Sequence, residues 1–223
     1  MTADNHGEKP AAGEPPAAPA LSPLLQKVIG RLGSLVHEHK SALGDDRIHV
    51  ARENLLEAAR TLRDDPELAF DLLLDVTAID YVGQPDDFET NLEVWDRNRA
   101  TMRRQPQRRH ELVLPPRGPN PRFAVVYHLT STTHLHVLRI KCRVPEDDPA
   151  IPSVTTLWPG ANWLERETYD MYGIRFEGHP DLRRIYLYEE FVGHPLRKDY
   201  AKHGEQPIQE YVGPGAKEPR RPH

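Results

Sequence analysis

The sequence predicts an α+β fold: a two-layer domain with helices on a mixed sheet, followed by a long extended C-terminal arm. Three observations carry this. Apolar residues recur at helical spacing in the first third of the chain and again near residue 165. Two strand-like runs, Phe123–Thr130 (FAVVYHLT) and Leu135–Val144 (LHVLRIKCRV), follow each other across a hairpin-length connection, Ser131–Thr133. From Ile174 onward the period is lost, and the chain becomes too polar and Pro-rich to build a second core.

The elements follow in order. Residues 1–21 are Ala, Pro, Gly and charge and read as a disordered leader, since such a composition buries too little apolar surface to order alone. Ser22 then Pro23 is a helix start: a hydroxyl to cap, and a ring whose missing N–H costs nothing at the first position. Leu24, Leu25, Val28, Ile29, Leu32, Leu35 and Val36 continue at helical spacing. Gly44, Asp45 and Asp46 make a turn, and Arg47–Ala51 (RIHVA) alternates as a short strand. Asn54–Arg63 is a second helix, with Leu55, Leu56, Ala59 and Leu62 on one side. Asp65–Pro66 breaks it, with a further helical turn expected through Leu74, and Thr77–Val82 (TAIDYV) reads as a strand. Asn162–Tyr172 is a helix that stops at Gly173, where left-handed backbone is wanted. The domain is thus expected over residues 22–173 and the arm over 174–223, docking on partner subunits.

Residues 83–122 interrupt the strands. The centre of this insertion, Asp96–His110, carries six Arg. It reads either as a partner-binding or lipid-facing insertion or as a solvated surface excursion, helical in part near Leu92–Met102.

Composition excludes several classes. A net charge of −5 does not suit a nucleic-acid binder. No apolar run reaches the roughly 18 residues that a membrane-spanning helix needs, so membrane attachment is expected through other proteins. A single cysteine, Cys142, forms no internal disulfide and cannot supply the several thiolates of an iron–sulfur cluster; mid-strand, it reads as a buried small hydrophobe. The N-terminal stretch lacks a secretory signature, and Asp4, Glu8 and Glu14 argue against a transit peptide, so residence inside a bacterium is expected. Gly-rich phosphate loops, nucleophile elbows and H-E-x-x-H are missing from the sequence.

The informative segment is Trp158–Tyr200. Asn162 and Glu165, three apart, have the spacing of a capping box. Arg166 and Asp170, four apart on a helix, are placed to pair. Glu167 and Asp170 put two carboxylates on one face, and His179 offers a third metal ligand, which would make a free-standing metal-dependent enzyme. The plainer reading is a charged helix that docks by complementarity, because one short helix supplies no repeated ligand unit. Two echoes follow, Gly178–His179–Pro180 and Gly193–His194–Pro195, each succeeded by basic groups: Arg183 with Arg184, and Arg197 with Lys198. Asp181 and Asp199 stand beside them, and Tyr186, Tyr188, Phe191 and Tyr200 supply apolar area. Arg and aromatics interleaved on an arm are what interface hot spots use, and the two histidines read as turn-locking hydrogen bonders.

In this segment the chain resembles the 30 kDa (C) subunit family of proton-pumping NADH:quinone oxidoreductase, respiratory complex I. The family's pattern is met by Glu165, Arg166, Glu167, Asp170, Met171, Tyr172, His179, Arg183, Ile185 and Tyr186. Gly193–Tyr200 (GHPLRKDY), SVTTLWPGANW before the helix and Val126–Ser131 (VYHLTS) also fit. The likeness is strong over 122–200 and weaker over 24–82; the leader, the tail and the 83–122 insertion depart from it. The resemblance implies a non-catalytic scaffold subunit of the peripheral arm. Such a protein holds no flavin, cluster or quinone, and packs against the 49 kDa-type (D) subunit and the terminal-cluster (B) subunit. The location implied is the cytoplasmic side of the bacterial inner membrane. The complex passes electrons from NADH through FMN and iron–sulfur clusters to quinone and moves protons. An equivalent subunit of a membrane-bound hydrogenase or another dehydrogenase is the alternative. The resemblance assigns no catalytic, cofactor or metal residue; the signature and interface set is Glu165, Arg166, Glu167, Asp170, Met171, Tyr172, His179, Arg183, Arg184, His194, Arg197, Lys198 and Asp199.

Overall fold

The computed structural model describes residues 21–42, 44–82 and 121–200. The leader, nearly all of the Arg-rich insertion and the tail beyond Tyr200 lie outside the described residues. Helix α1 spans Pro23–Leu32, with the Ser22 hydroxyl accepting from the Leu25 N–H and Pro at the first position, as expected. It does not continue to Val36. Gly33, at φ +54°, turns the chain out of the helix, and a single 3₁₀ turn leads into strand β1, Val36–Ala42. The sequence hides β1 because it is an edge strand with mostly polar side chains, which leaves no apolar alternation to read.

Strand β2 (Asp45–Val50) pairs antiparallel with β1, and α2 (Leu55–Asp64) follows. A single hydrogen-bonded turn forms from Asp65, whose carbonyl accepts from the Leu68 and Ala69 amides, but it does not continue to Leu74. Strand β3 begins at Leu72 and runs to Asp80, pairing antiparallel with β4 (Phe123–Thr130). Three consecutive leucines obscure the alternation there: Leu73 is buried while Leu72 and Leu74 face out. The Asp71 carboxylate accepts from the Thr132 amide and hydroxyl, which ties the start of β3 to the β4–β5 turn. Strand β5 (Val137–Val144) completes a mixed sheet of order β1-β2-β5-β4-β3, in which β2 and β5 are parallel.

A second, two-stranded parallel sheet joins β6 (Ala150–Pro152) to β7 (Arg175–Glu177), on either side of helix α3 (Ala161–Tyr172). The folded domain therefore extends to Glu177 rather than closing at Gly173. Residues from α1, α2, α3 and the β6–α3 loop share one apolar core with the alternating inward side chains of the large sheet, among them Val76, Tyr127, Ile140 and Cys142. Burying side chains of this size contributes on the order of 1.5–3 kcal/mol each. Residues 178–200 form no regular element. They wind back over α3 and the ends of β3 and β4.

Candidate assembly surface

Helix α3 begins without a capping box. Its N-cap is Gly160, and no side chain caps it. Glu165 instead points inward. At 0% exposure its carboxylate accepts from the Ser153 hydroxyl and the Val154 amide, both at 2.7 Å. Burial pushes its pKa up to about 7, against the downward pull of those two donors. Thr168 donates to the Val76 carbonyl at 3.0 Å, fixing the helix onto β3.

Arg166 and Asp170 do not pair with each other. Arg166 donates to the carbonyl of Arg183 at 3.2 Å and of Arg184 at 3.5 Å, and its guanidinium lies 4.7 Å from the Trp163 ring centre. Asp170, also 0% exposed, gathers the returning chain. It accepts from Arg184 Nη1 at 3.2 Å and from the amides of Ile185, Tyr186 and Leu187 at 2.9–3.1 Å. The helix spacing placed Arg166 within reach, but the three amides and Arg184 satisfy the carboxylate more completely.

The first echo locks its own turn, and the histidine of the second ties its loop to α3 instead. In the first, His179 Nδ1 accepts from the Asp181 amide, so Nε2 carries the hydrogen and donates to the Asn162 carbonyl at 3.1 Å. In the second, His194 Nδ1 donates to the Asp170 carbonyl at 2.9 Å, and burial holds its pKa below the usual histidine range. Leu196 N–H donates to the Met171 carbonyl at 3.1 Å, and Arg197 Nε to the Tyr172 carbonyl at 2.6 Å. Gly173, at φ +73°, lies where a methyl group would collide with His194 and Arg197.

Sequence reasoning missed the hub that fastens the end of this segment. Arg122 binds Asp80 through two nitrogens at 2.7 and 3.1 Å, and also reaches Glu146 and Asp199. Asp80 further accepts from the amides of Lys198 and Val82. Burial alone would raise the Asp80 pKa, but these donors outweigh it and hold the group below the usual carboxylate range. A signal was present: Val76, Ala78 and Asp80 alternate on the buried face of β3, and a carboxylate in that series requires a cation.

The candidate metal set does not converge. Both Asp170 oxygens and both His179 ring nitrogens are engaged inside the chain, and among the described residues no group of three or more His, Cys, Asp or Glu is placed to hold a metal. The charged signature is mostly internal scaffolding. The large apolar side chains exposed here are Trp163 at 65%, Tyr186 at 66% and Val192 at 75%, together with Tyr188 and Leu196. Of the charged residues, Arg183, Lys198 and Asp199 remain at the surface, Arg183 paired with Asp181 and Asp199 with Arg122.

Comparison with known proteins gives this arrangement a family. Residues 48–206 match the model of the respiratory-chain NADH dehydrogenase 30 kDa subunit. The chain is 42% identical over 183 residues to the NADH-quinone oxidoreductase (C) subunit of Legionella pneumophila (strain Corby), covering 82% of this chain and 78% of that one. The same-named protein of Coxiella burnetii (strain RSA 331 / Henzerling II) is 42% identical over 186 residues, with the same coverage. That of Acidithiobacillus ferrooxidans (strain ATCC 53993 / BNL-5-31) is 39% identical over 181 residues, covering 81% and 75%. Among solved structures, the Nqo5 trypsin-resistant fragment (1-134) is similar at 31% identity and a TM-score of 0.50, covering 71% of this chain and 99% of the fragment. A chain of an archaeal membrane-bound sulfane sulfur reductase shares the fold at 18% identity, with a TM-score of 0.55 over 81% of this chain and 85% of that one. Among the described residues no helix is long and apolar enough to cross a membrane. The chain belongs to the 30 kDa subunit family of respiratory-chain NADH dehydrogenase, complex I.

Proposed function

We propose that this chain is a non-catalytic scaffold subunit of the peripheral arm of an NADH:quinone oxidoreductase. It packs against the 49 kDa-type subunit and the terminal-cluster subunit on the cytoplasmic side of the bacterial inner membrane. The complex passes electrons from NADH through FMN and iron–sulfur clusters to quinone and couples this to proton translocation; the chain itself holds none of these groups. The observation that carries the reading is its 42% identity, over 82% of its length, to proteins named as the (C) subunit of NADH-quinone oxidoreductase. The geometry agrees with a structural role. Glu165, Asp170, Asp199, Arg166, Arg184 and Arg197 are spent on intramolecular bonds, and α3 with the segment they hold exposes Trp163, Tyr186 and Val192, the kind of side chain that anchors protein interfaces. The aromatic surface, rather than the buried charges, is the docking element in this reading.

An affinity-tagged copy expressed in its native bacterium tests it. Solubilised membranes should yield a tagged complex that contains flavin and iron and reduces quinone with NADH. Recovery of a complex that oxidises hydrogen or another donor, but not NADH, would reassign the donor. Recovery of the chain alone from cells with active respiration would overturn the assembly reading.

A further inference from the structure

Glu165 is not accounted for by the docking role. It is fully buried at the joint between α3 and the β6–α3 loop, and its bonds lead outward through hydroxyls rather than to a cation. Its Oε2 is 2.7 Å from Ser153 Oγ, and Ser153 Oγ is 2.8 Å from Thr155 Oγ1, where either hydroxyl can donate. Thr155 is partly exposed, so the chain of groups runs from the core to the solvent. Such a series works in two polarities. With Glu165 ionised, Thr155 donates to Ser153 and Ser153 to the carboxylate. With Glu165 protonated by a solvent proton, the new Oε2–H donates to Ser153 Oγ, and the Ser153 hydroxyl turns to Thr155. The Val154 amide keeps Oε1 satisfied in both states.

We propose that Glu165, Ser153 and Thr155 form a buried proton-binding site that takes up and releases one proton, with the two hydroxyls reversing their hydrogen bonds as it does so. Among the described residues the surroundings provide no compensating charge. Arg63 on α2 donates to the Leu157 carbonyl, and Arg52 to the carbonyls of Asp148 and Ala150. On α3, Arg166 and Asp170 are spent on the returning chain, and half-buried Glu167 adds only like charge. The titratable group in the field of Glu165 is the Tyr127 phenol on β4. Its hydroxyl is buried without a hydrogen-bond partner, and its pKa is raised by burial and by the charges of Cys142 and Glu165. The un-ionised Tyr127 phenol brings Glu165 no cation, and it is burial without a counter-charge that disfavours the ionised carboxylate, in line with its upward shift to about 7. The consequence is a joint between α3 and the β6–α3 loop that holds more tightly when protonated.

The site belongs to the chain alone and is tested on the full chain without partners, independently of the assembly reading. Carboxyl-carbon NMR of glutamate-labelled protein should show one resonance titrating with a midpoint near 7, against about 4.3 for ordinary glutamates. That resonance should vanish in Glu165→Gln. In Ser153→Ala, which removes a donor to the charged form, its midpoint should rise. If Glu165→Gln does not fold, the wild-type titration and the Ser153→Ala shift still decide. The absence of any glutamate titrating above pH 6, or a midpoint unmoved by Ser153→Ala, would overturn the proposal.

Discussion

Asp170, Arg122 and Glu165 show how much of this chain rests on single buried charges. Asp170 satisfies Arg184 and three amides at once, so Asp170→Ala leaves four donors short of an acceptor. Breaking a buried charged set from one side costs about 3–5 kcal/mol, and urea denaturation of the full chain should show a loss of that size. An unchanged midpoint would mean the 184–187 segment finds other partners. Two pH effects of opposite sign are expected. Asp80 has a lowered pKa, so its stabilisation is present above the ordinary carboxylate value and lost as pH falls through the folded value. Glu165 is raised from 4.5 to about 7, so its contribution is full below 4.5 and is lost as pH rises through 7. That loss is on the order of 3 kcal/mol between pH 5 and 8. Denaturation midpoints measured across this range should fall with pH in the wild type relative to Glu165→Gln, whose own profile keeps the rise with pH that the lowered His194 pKa brings. The sequence marked Glu165, Arg166 and Asp170 by motif but not their partners. Helix spacing reports which residues can meet on one helix, and says nothing of a segment returning from 14 to 17 residues away. Asp80 and Arg122 went unread because they flank the insertion and meet only when β3 and β4 pair.

At the scale of elements, helices and central strands were legible, edge strand β3 only in its second half, and edge strand β1 not at all. Strands β4 and β5 announced themselves because both are buried and rich in β-branched residues. Strand β1 is polar and β6 and β7 are three residues each, too short for a period of two to show. Glycines end two of the helices: Gly33 by turning the backbone after α1, and Gly173 by giving α3 its left-handed end. Gly173 does more, since its missing side chain makes room for His194 and Arg197. Gly173→Ala should therefore cost more than the roughly 1 kcal/mol of a left-handed alanine, because the 193–200 segment is pushed off the helix end. Hydrogen exchange would locate the damage. The amides of Leu196 and Lys198, bonded to Met171 and Asp80, should lose protection before those of β4 and β5 do. Uniform loss across the sheet would contradict a local role.

For the whole molecule, the sheet closes without help from the insertion. Asp80 pairs with Phe123, and the Tyr81 amide donates to the Arg122 carbonyl at 2.9 Å, so the ends of the 83–120 stretch are already held together. Replacing residues 86–120 with a short Gly/Ser linker should move the melting temperature only slightly, since each halving of a loop changes its closure cost by about 0.6 kcal/mol. Loss of folded protein would show that the stretch packs into the core. The α+β class and the mixed sheet were legible because hydrophobic periodicity reports layers; the return of residues 178–200 onto α3 was not, because it is built from carboxylates and backbone amides that carry no periodic signal. That return turns the charged signature into a support for an aromatic surface, and the choice between support and chemistry is decided in the assembled complex. The direct measurement sets native-gel quantity of complex against NADH:quinone activity for Trp163→Ala/Tyr186→Ala and for Glu167→Gln/His179→Asn. Under a scaffold role, the first pair lowers the amount of complex and lowers activity in the same proportion, while the second leaves turnover per assembled complex near normal. Fully assembled complex with abolished turnover in Glu167→Gln/His179→Asn would contradict that role and make those side chains chemical groups.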